Sequence, residues 1–211
     1  MRPIRIAITK GRLEKDAIAL FKRMRLDCSE LENKGRRLIL PLGEYEAVLA
    51  KAADVITYVE HGACDIGVAG KDTIAENGGG SGFYEVSDLG IGVCRFALAG
   101  PRGVDFYAGL AAKRIATKYP GVAKAFFHAK GMDVQIVKIE GSVELAPLLG
   151  LADAIVDIVE TGSTLRENGL EVIEDIMPVS ARVIVNMASM KLRKDEIEKF
   201  IKDIESAAQK L

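Results

Sequence analysis

The sequence predicts an α/β protein of parallel sheets with helices on both faces. Three observations carry this expectation: short apolar runs rich in β-branched residues alternate with stretches of helical periodicity, glycine or proline closes several of the helical stretches, and no internal repeat interrupts the alternation. With 211 residues and 49% hydrophobic content, the chain can bury one large core or two small ones.

The elements follow in order. Ile4 to Thr9 reads as a strand, after which Leu13, Ala17, Leu20, Phe21 and Met24 recur on one face of a helix. Ala52 to His61 reads as a helix stopped by Gly62, Asp65 to Ala69 as a buried strand, and Lys71 to Glu76 as a short helix. Nothing in Asn77 to Gly82 can pack, and glycine raises the cost of ordering it, so a flexible connecting loop is expected. Ile91 to Ala99 is a strand closed by Gly100 and Pro101, and Arg114 to Thr117 is the next. Pro120 and Gly131 bracket a helix. Val134 to Ile139 is a strand, Ser142 can cap a helix over Val143 to Leu149, and Ala154 to Val159 is a buried strand. Arg182 to Asn186 is the last strand. The final helix, Asp195 to Lys210, offers a capping box in Asp195 and Glu198 and an apolar face of Ile197, Phe200, Ile201 and Ile204.

Composition excludes several classes of partner. The 29 basic and 30 acidic side chains nearly cancel, so no chain-wide field draws the protein to nucleic acid or to an anionic membrane. Anion binding must be local. Cys28, Cys64 and Cys94 are odd in number and far apart, which speaks against a disulfide framework or a thiolate metal site. No apolar stretch is long enough to span a bilayer, and the charged N-terminus does not resemble a secretory signal. A cytoplasmic protein is expected.

The most informative stretch is Asp153 to Leu165, a strand that carries acids into Thr161-Gly162-Ser163-Thr164. Free backbone N–H groups at a helix start, with the Thr161, Ser163 and Thr164 hydroxyls beside them, can hold a phosphate monoester, and Gly162 lets the backbone come close. Asp157 interrupts an apolar strand, where an unpaired carboxylate is costly, so it asks for a ligand or a partner. Two ribose hydroxyls would serve. Such a Thr-Gly-x-Thr segment is also compatible with an ordinary capped turn, and Asp153 can act as a cap or as a ligand.

Glu144, Gly150, Ala152, Ile155, Asp157, Ile158, Thr161, Gly162, Thr164 and Leu165 together resemble the signature of the ATP phosphoribosyltransferase family. Further similar blocks are Thr9 to Leu13, Tyr58 to Gly62, Asp65 to Asp72, Asp88 to Gly92, Arg114 to Pro120, Gly141 to Pro147 and Val183 to Asn186. The resemblance implies two α/β domains of the type II periplasmic-binding-protein kind with a cleft. The first would comprise residues 1–88 with 180–211, and the second residues 89–179 with the loop for phosphoribosyl pyrophosphate (PRPP). It also implies condensation of ATP, through adenine N1, with PRPP to give phosphoribosyl-ATP and pyrophosphate, the first step of histidine biosynthesis. Alternatives are a solute-binding protein of the same fold and a salvage-type phosphoribosyltransferase.

In that reading Asp153, Asp157, Thr161, Gly162, Ser163 and Thr164 bind PRPP, while Lys10, Arg36 and Lys51 meet pyrophosphate or triphosphate. Arg12, Ser142 and Glu144 bind ATP or orient substrate, with helix capping the alternative for Ser142 and Glu144. Lys51 stands where many relatives carry arginine. Mg²⁺ is implied as cofactor, held mainly by substrate phosphates with no dedicated protein ligands. The length fits the short form of the family, for which the resemblance implies a homodimer alone and a hetero-oligomer with a regulatory subunit resembling histidyl-tRNA synthetase.

Overall fold

The computed structural model describes residues 2–78, 80, 82–109 and 111–209. It divides into two compact units, Met1–Gly92 with Ser180–Leu211, and Val93–Val179. Gly79 and Ser81 of the expected glycine-rich loop, and Lys210 of the expected final helix, lie outside the described residues.

The first unit begins with β1 (Arg5–Thr9), α1 (Arg12–Arg23), α2 (Ser29–Glu32), β2 (Ile39–Leu42), β3 (Tyr45–Ala50), α3 (Ala52–Glu60), β4 (Ile66–Gly70), α4 (Lys71–Asn77) and β5 (Phe83–Asp88). The second unit holds β6 (Cys94–Pro101), β7 (Lys113–Thr117), α5 (Pro120–Ala129), β8 (Val134–Lys138), α6 (Leu145–Leu148), β9 (Ala154–Val159), α7 (Ser163–Glu167) and β10 (Leu170–Val179). The chain returns to the first unit with β11 (Ala181–Asn186), α8 (Met187–Leu192) and α9 (Lys194–Ala208). Among the described residues no helix is long and apolar enough to cross a membrane.

Both sheets are mixed, which corrects the expectation of parallel sheets. The first has the order β2-β3-β1-β4-β11-β5 and the second β10-β6-β9-β7-β8. Parallel pairing is confined to β1 with β3 and β4, and to β7 with β8 and β9. These are the pairs joined by helical crossovers, which parallel strands need. The antiparallel ladders arise elsewhere: β2 and β3 are joined by the short turn at Gly43 and Glu44, β10 runs back along β6, and β11 re-enters the first sheet beside β4.

Each sheet is covered on both faces. In β1 the alternation sends Ile6 and Ile8 to one core with Phe21, Leu40 and Phe200, and Ala7 to another with Val55, Val59 and Ile184. The second unit repeats the arrangement, with Val156 facing Phe96 and Phe127, and Ile155 facing Ala116 and Leu165. The apolar face of α9 is spent within its own unit. Ile197, Phe200 and Ile204 are fully buried, and the Phe200 ring meets Tyr45 edge-on with centroids 5.3 Å apart.

Three local expectations need correction. Asp195 does not cap α9: Arg193 is the capping residue, its guanidinium forks onto Glu196 at 3.0 and 2.7 Å, and Asp195 sits in the first turn, where its charge favours the dipole. Ser142 does not cap α6, which starts at Leu145 with Glu144 before it and no side-chain cap. The first unit extends past Asp88, because Leu89 N–H donates to the Ala181 carbonyl and Ala181 N–H to that of Ile91. Gly92 is its last residue before the crossing.

Candidate active site

The second unit carries a pocket of about 240 Å³ at the carboxyl end of β9, lined by Glu144 and by residues 157–165. The strand places Asp157 there by pairing it with Ala97 of β6, so that its backbone is held and its side chain shares a face with Ile155. Burial is the main cause that pushes the Asp157 carboxyl up to about 6, and the charge of Glu144 adds to it. Opposing this, a backbone hydrogen bond from Ile158 and the charge of Lys118 favour the ionised form. At neutral pH the group is mostly ionised, with no ion pair among the described residues to satisfy it.

The turn that follows is shaped by Gly162, whose φ of 71° lies in the left-handed region open to glycine. A Cβ there would also stand 3.3 Å from Arg166 Nη1. Arg166 closes the turn by donating to the Thr161 carbonyl at 3.0 Å. Thr161 Oγ1 lies 3.1 Å from Ser163 Oγ, so two hydroxyls are gathered at one point, and Thr161, Ser163 and Thr164 are all exposed. Exposed hydroxyls with carboxylates beside them can bind a sugar phosphate; the carboxylates alone would repel one.

Asp153 does not belong to this group. It precedes β9, four residues before Asp157, which puts the two roughly 13 Å apart at about 3.3 Å per residue. There it accepts the Arg114 N–H at 2.7 Å, while its own N–H donates to the Arg114 carbonyl. It ties β9 to β7. The cap alternative is the one that this geometry fits, and Asp153 is not among the residues that line the pocket. Ser142 is exposed in the segment after β8 and is not among the pocket residues.

The first unit has a separate pocket of about 330 Å³ lined by Lys10, Lys34, Gly35, Arg36, Arg37, Leu38 and Leu49. Two of its cations are committed. Lys34 is paired with the buried carboxylate of Glu14, and Arg37 Nη1 lies 2.5 Å from Glu30. Glu14 also accepts the Gly11 N–H, so one acid anchors both the start of α1 and Lys34. Lys10 and Arg36 have no side-chain partner among the described residues and are the two cations left to meet an anion. Gly11, with φ 103° and open space around it, turns the chain from β1 into α1 directly after Lys10. Arg12 is the first residue of that helix and is exposed. Lys51 is exposed before α3 and does not line this pocket.

Three residues were missed by sequence reasoning. Lys34 was hidden in a basic run from which only Arg36 was chosen, Arg166 lies a helical turn beyond Gly162, and Lys118 directly follows β7. The last had a usable signal, since ligands collect beyond the carboxyl ends of strands in open α/β sheets.

With this geometry in place, comparison with known proteins is informative. A sequence model of the ATP phosphoribosyltransferase family (HisG) matches residues 51–206. An ATP phosphoribosyltransferase of Clostridium kluyveri is 60% identical over 206 residues, covering 97% of this chain and 93% of that protein. One from Clostridium acetobutylicum is 55% identical over 211 residues, covering 99% and 97%. Among solved structures, the ATP phosphoribosyl transferase (HisG:HisZ) complex from Thermotoga maritima contains a chain that superposes with a TM-score of 0.85 at 31% identity, covering 99% of this chain and all of that one. The VFT2 domain of Bordetella pertussis BvgS is similar in fold alone, with a TM-score of 0.58 at 11% identity over 98% of this chain and 86% of that one.

Proposed function

The chain belongs to the ATP phosphoribosyltransferase family, and we propose that it joins ATP to PRPP, releasing pyrophosphate, as the first step of histidine biosynthesis. The observation that carries this reading at the level of the site is the pairing of half-buried Asp157 with the exposed hydroxyls of the Thr161–Thr164 turn in one pocket. The Asp157 carboxylate accepts hydrogen bonds from ribose hydroxyls, and the turn donates N–H and O–H groups to the 5-phosphate. Glu144, on the same pocket, orients a further substrate hydroxyl or the adenine edge.

Chemistry then needs positioning more than a reactive side chain. Adenine N1 forms a bond to the anomeric carbon as the bond from that carbon to the pyrophosphate oxygen breaks, so charge builds on the departing group. Lys10, Arg36 and Lys51 are the cations proposed to receive it, with Arg12 beside them. Lysine at position 51 supplies charge without the two-pronged geometry of arginine. Ser142 keeps only a peripheral role in this scheme.

Magnesium fits as a substrate-borne cofactor. Among the described residues no cluster of three or more His, Cys, Asp or Glu could hold a metal, while Glu144 and Asp157 line the pocket together. One or two carboxylates suffice when phosphates complete the shell, and the ion would then neutralise charge on the diphosphate. A cytoplasmic location suits the three thiols and a reaction that consumes ATP. A regulatory partner is supported by the relative from Thermotoga maritima, which is a HisG:HisZ complex. We assign this chain the same kind of partner, resembling a histidyl-tRNA synthetase, and a homodimeric state alone.

The test is one assay. Purified chain with ATP, PRPP and Mg²⁺ should produce the phosphoribosyl-ATP absorbance change, and a histidine titration of the same mixture should leave the rate unchanged until the partner is added. Turnover with a free base in place of ATP would favour a salvage enzyme instead.

A further inference from the structure

Lys71 has no role in the scheme above, yet the register of the first sheet puts it in a row with two residues that do. Thr9 of β1 pairs with Ala50 of β3, and Ile8 with Val68 of β4, all in parallel. Lys10, Lys51 and Lys71 each directly follow the last residue of one of these three neighbouring strands. That is the edge at which open α/β sheets bind ligands.

The three lysines differ in what they touch. Lys10 and Lys51 have no side-chain partner among the described residues, whereas Lys71 Nζ donates to Glu85 Oε2 at 2.6 Å. Glu85 is shared, because its other oxygen lies 3.5 Å from Arg182 Nη1. Arg182 reaches Asp88 through Nη2 at 2.9 Å, and its Nε is buried with no acceptor. One carboxylate is thus divided between two cations.

We propose that Lys71 is a polyphosphate ligand held in reserve by Glu85, which releases it to a pyrophosphate or nucleoside-triphosphate group at the edge of the first sheet and then turns wholly to Arg182. This rests on the proposed reaction for the identity of the anion. The exchange is close to balanced. The side chains of Lys71 and Glu85 are both 27% exposed, and releasing the lysine does not leave Glu85 alone, because Arg182 lies on its other oxygen. When the ammonium leaves, Glu85 still faces Arg182 Nη1, so its carboxylate keeps a cationic partner. Lys71 then pairs with the ligand phosphate while Glu85 stays paired with Arg182.

The experiment is calorimetric titration of pyrophosphate into the full-length chain, with melting temperatures alongside. Lys71→Gln should weaken pyrophosphate about tenfold, the loss of one charge-assisted contact. Lys71→Arg should retain most of the affinity, and neither should shift the melting temperature appreciably. Glu85→Gln should tighten binding, since the lysine is no longer held. Wild-type affinity in Lys71→Gln overturns the proposal, as does equal weakening by Lys71→Arg. Because no turnover is measured, Lys71-dependent binding by a chain that makes no phosphoribosyl-ATP would sink the proposed reaction and leave this site standing. Turnover with no effect of Lys71 would do the reverse.

Discussion

At the carboxyl edge of the first sheet, Lys10, Lys51 and Lys71 follow three adjacent strands; at the carboxyl end of β9 in the second, Asp157 and Glu144 share a pocket with a hydroxyl-bearing turn. The first is built to attract an anion. The second contains negative charge and can accept an anion only at its hydroxyl and N–H groups, while its carboxylates suit sugar hydroxyls or a bound cation. A formal net charge of −1 hides this division completely. Charge sorted by sheet, not by total, is what separates the two pockets.

The largest expected effect breaks the cationic side of the comparison. Lys10→Glu should lower kcat/KM for ATP on the order of a hundredfold, because a charge-assisted contact is replaced by repulsion. The melting temperature should barely move, since Lys10 has no side-chain partner among the described residues. Steady-state kinetics over a range of ATP concentrations decide it, and a wild-type kcat/KM would remove Lys10 from the site.

Asp157→Asn tests the other side and should separate activity from stability. PRPP affinity should fall about tenfold with the loss of a charged acceptor, read by titration. Stability should move the opposite way. The folded carboxyl titrates near 6 against an ordinary 3.8, so the folded state holds its proton more tightly than the unfolded chain. Its contribution to stability is therefore fully present below the unfolded value and is lost as pH rises through about 6. At neutral pH the substitution should stabilise the fold by about 1 to 3 kcal/mol, and this gain should vanish near pH 3. Chemical denaturation at several pH values would show it; an equal loss of stability at all of them would contradict the environment described for Asp157.

The smallest effect sharpens the contrast between the two ends of β9. Asp153→Asn should leave PRPP affinity within about twofold of wild type and cost under about 1 kcal/mol of stability, because its exposed contacts are with Arg114. A PRPP defect comparable to that of Asp157→Asn would restore Asp153 to the site.

Much of this protein was legible in its amino-acid order. Strands β1, β4, β7, β8, β9 and β11 and helices α1, α3, α5 and α9 were all anticipated, because each has a periodicity that can be read locally. The turn at Gly162 and the acid in an apolar strand were legible for the same reason. What could not be read depended on distant partners. β10 is interrupted by irregularities after Val172 and Asp175 and carries Glu171, Glu174 and Asp175, so no twofold pattern survives; it is a strand because β6 pairs with it. The strand β5 is similarly half-exposed and is held by β11. Asp153 and Asp157 are the same residue type four positions apart, one just before β9 and one within it, and residue type alone does not say which meets a ligand. Tertiary structure does, by tying one to Arg114 at the amino end and burying the other beside Glu144 at the carboxyl end. Periodicity is a property of neighbours in the chain, whereas burial and charge partners are properties of neighbours in space, and only the second set decides which acid can meet a ligand.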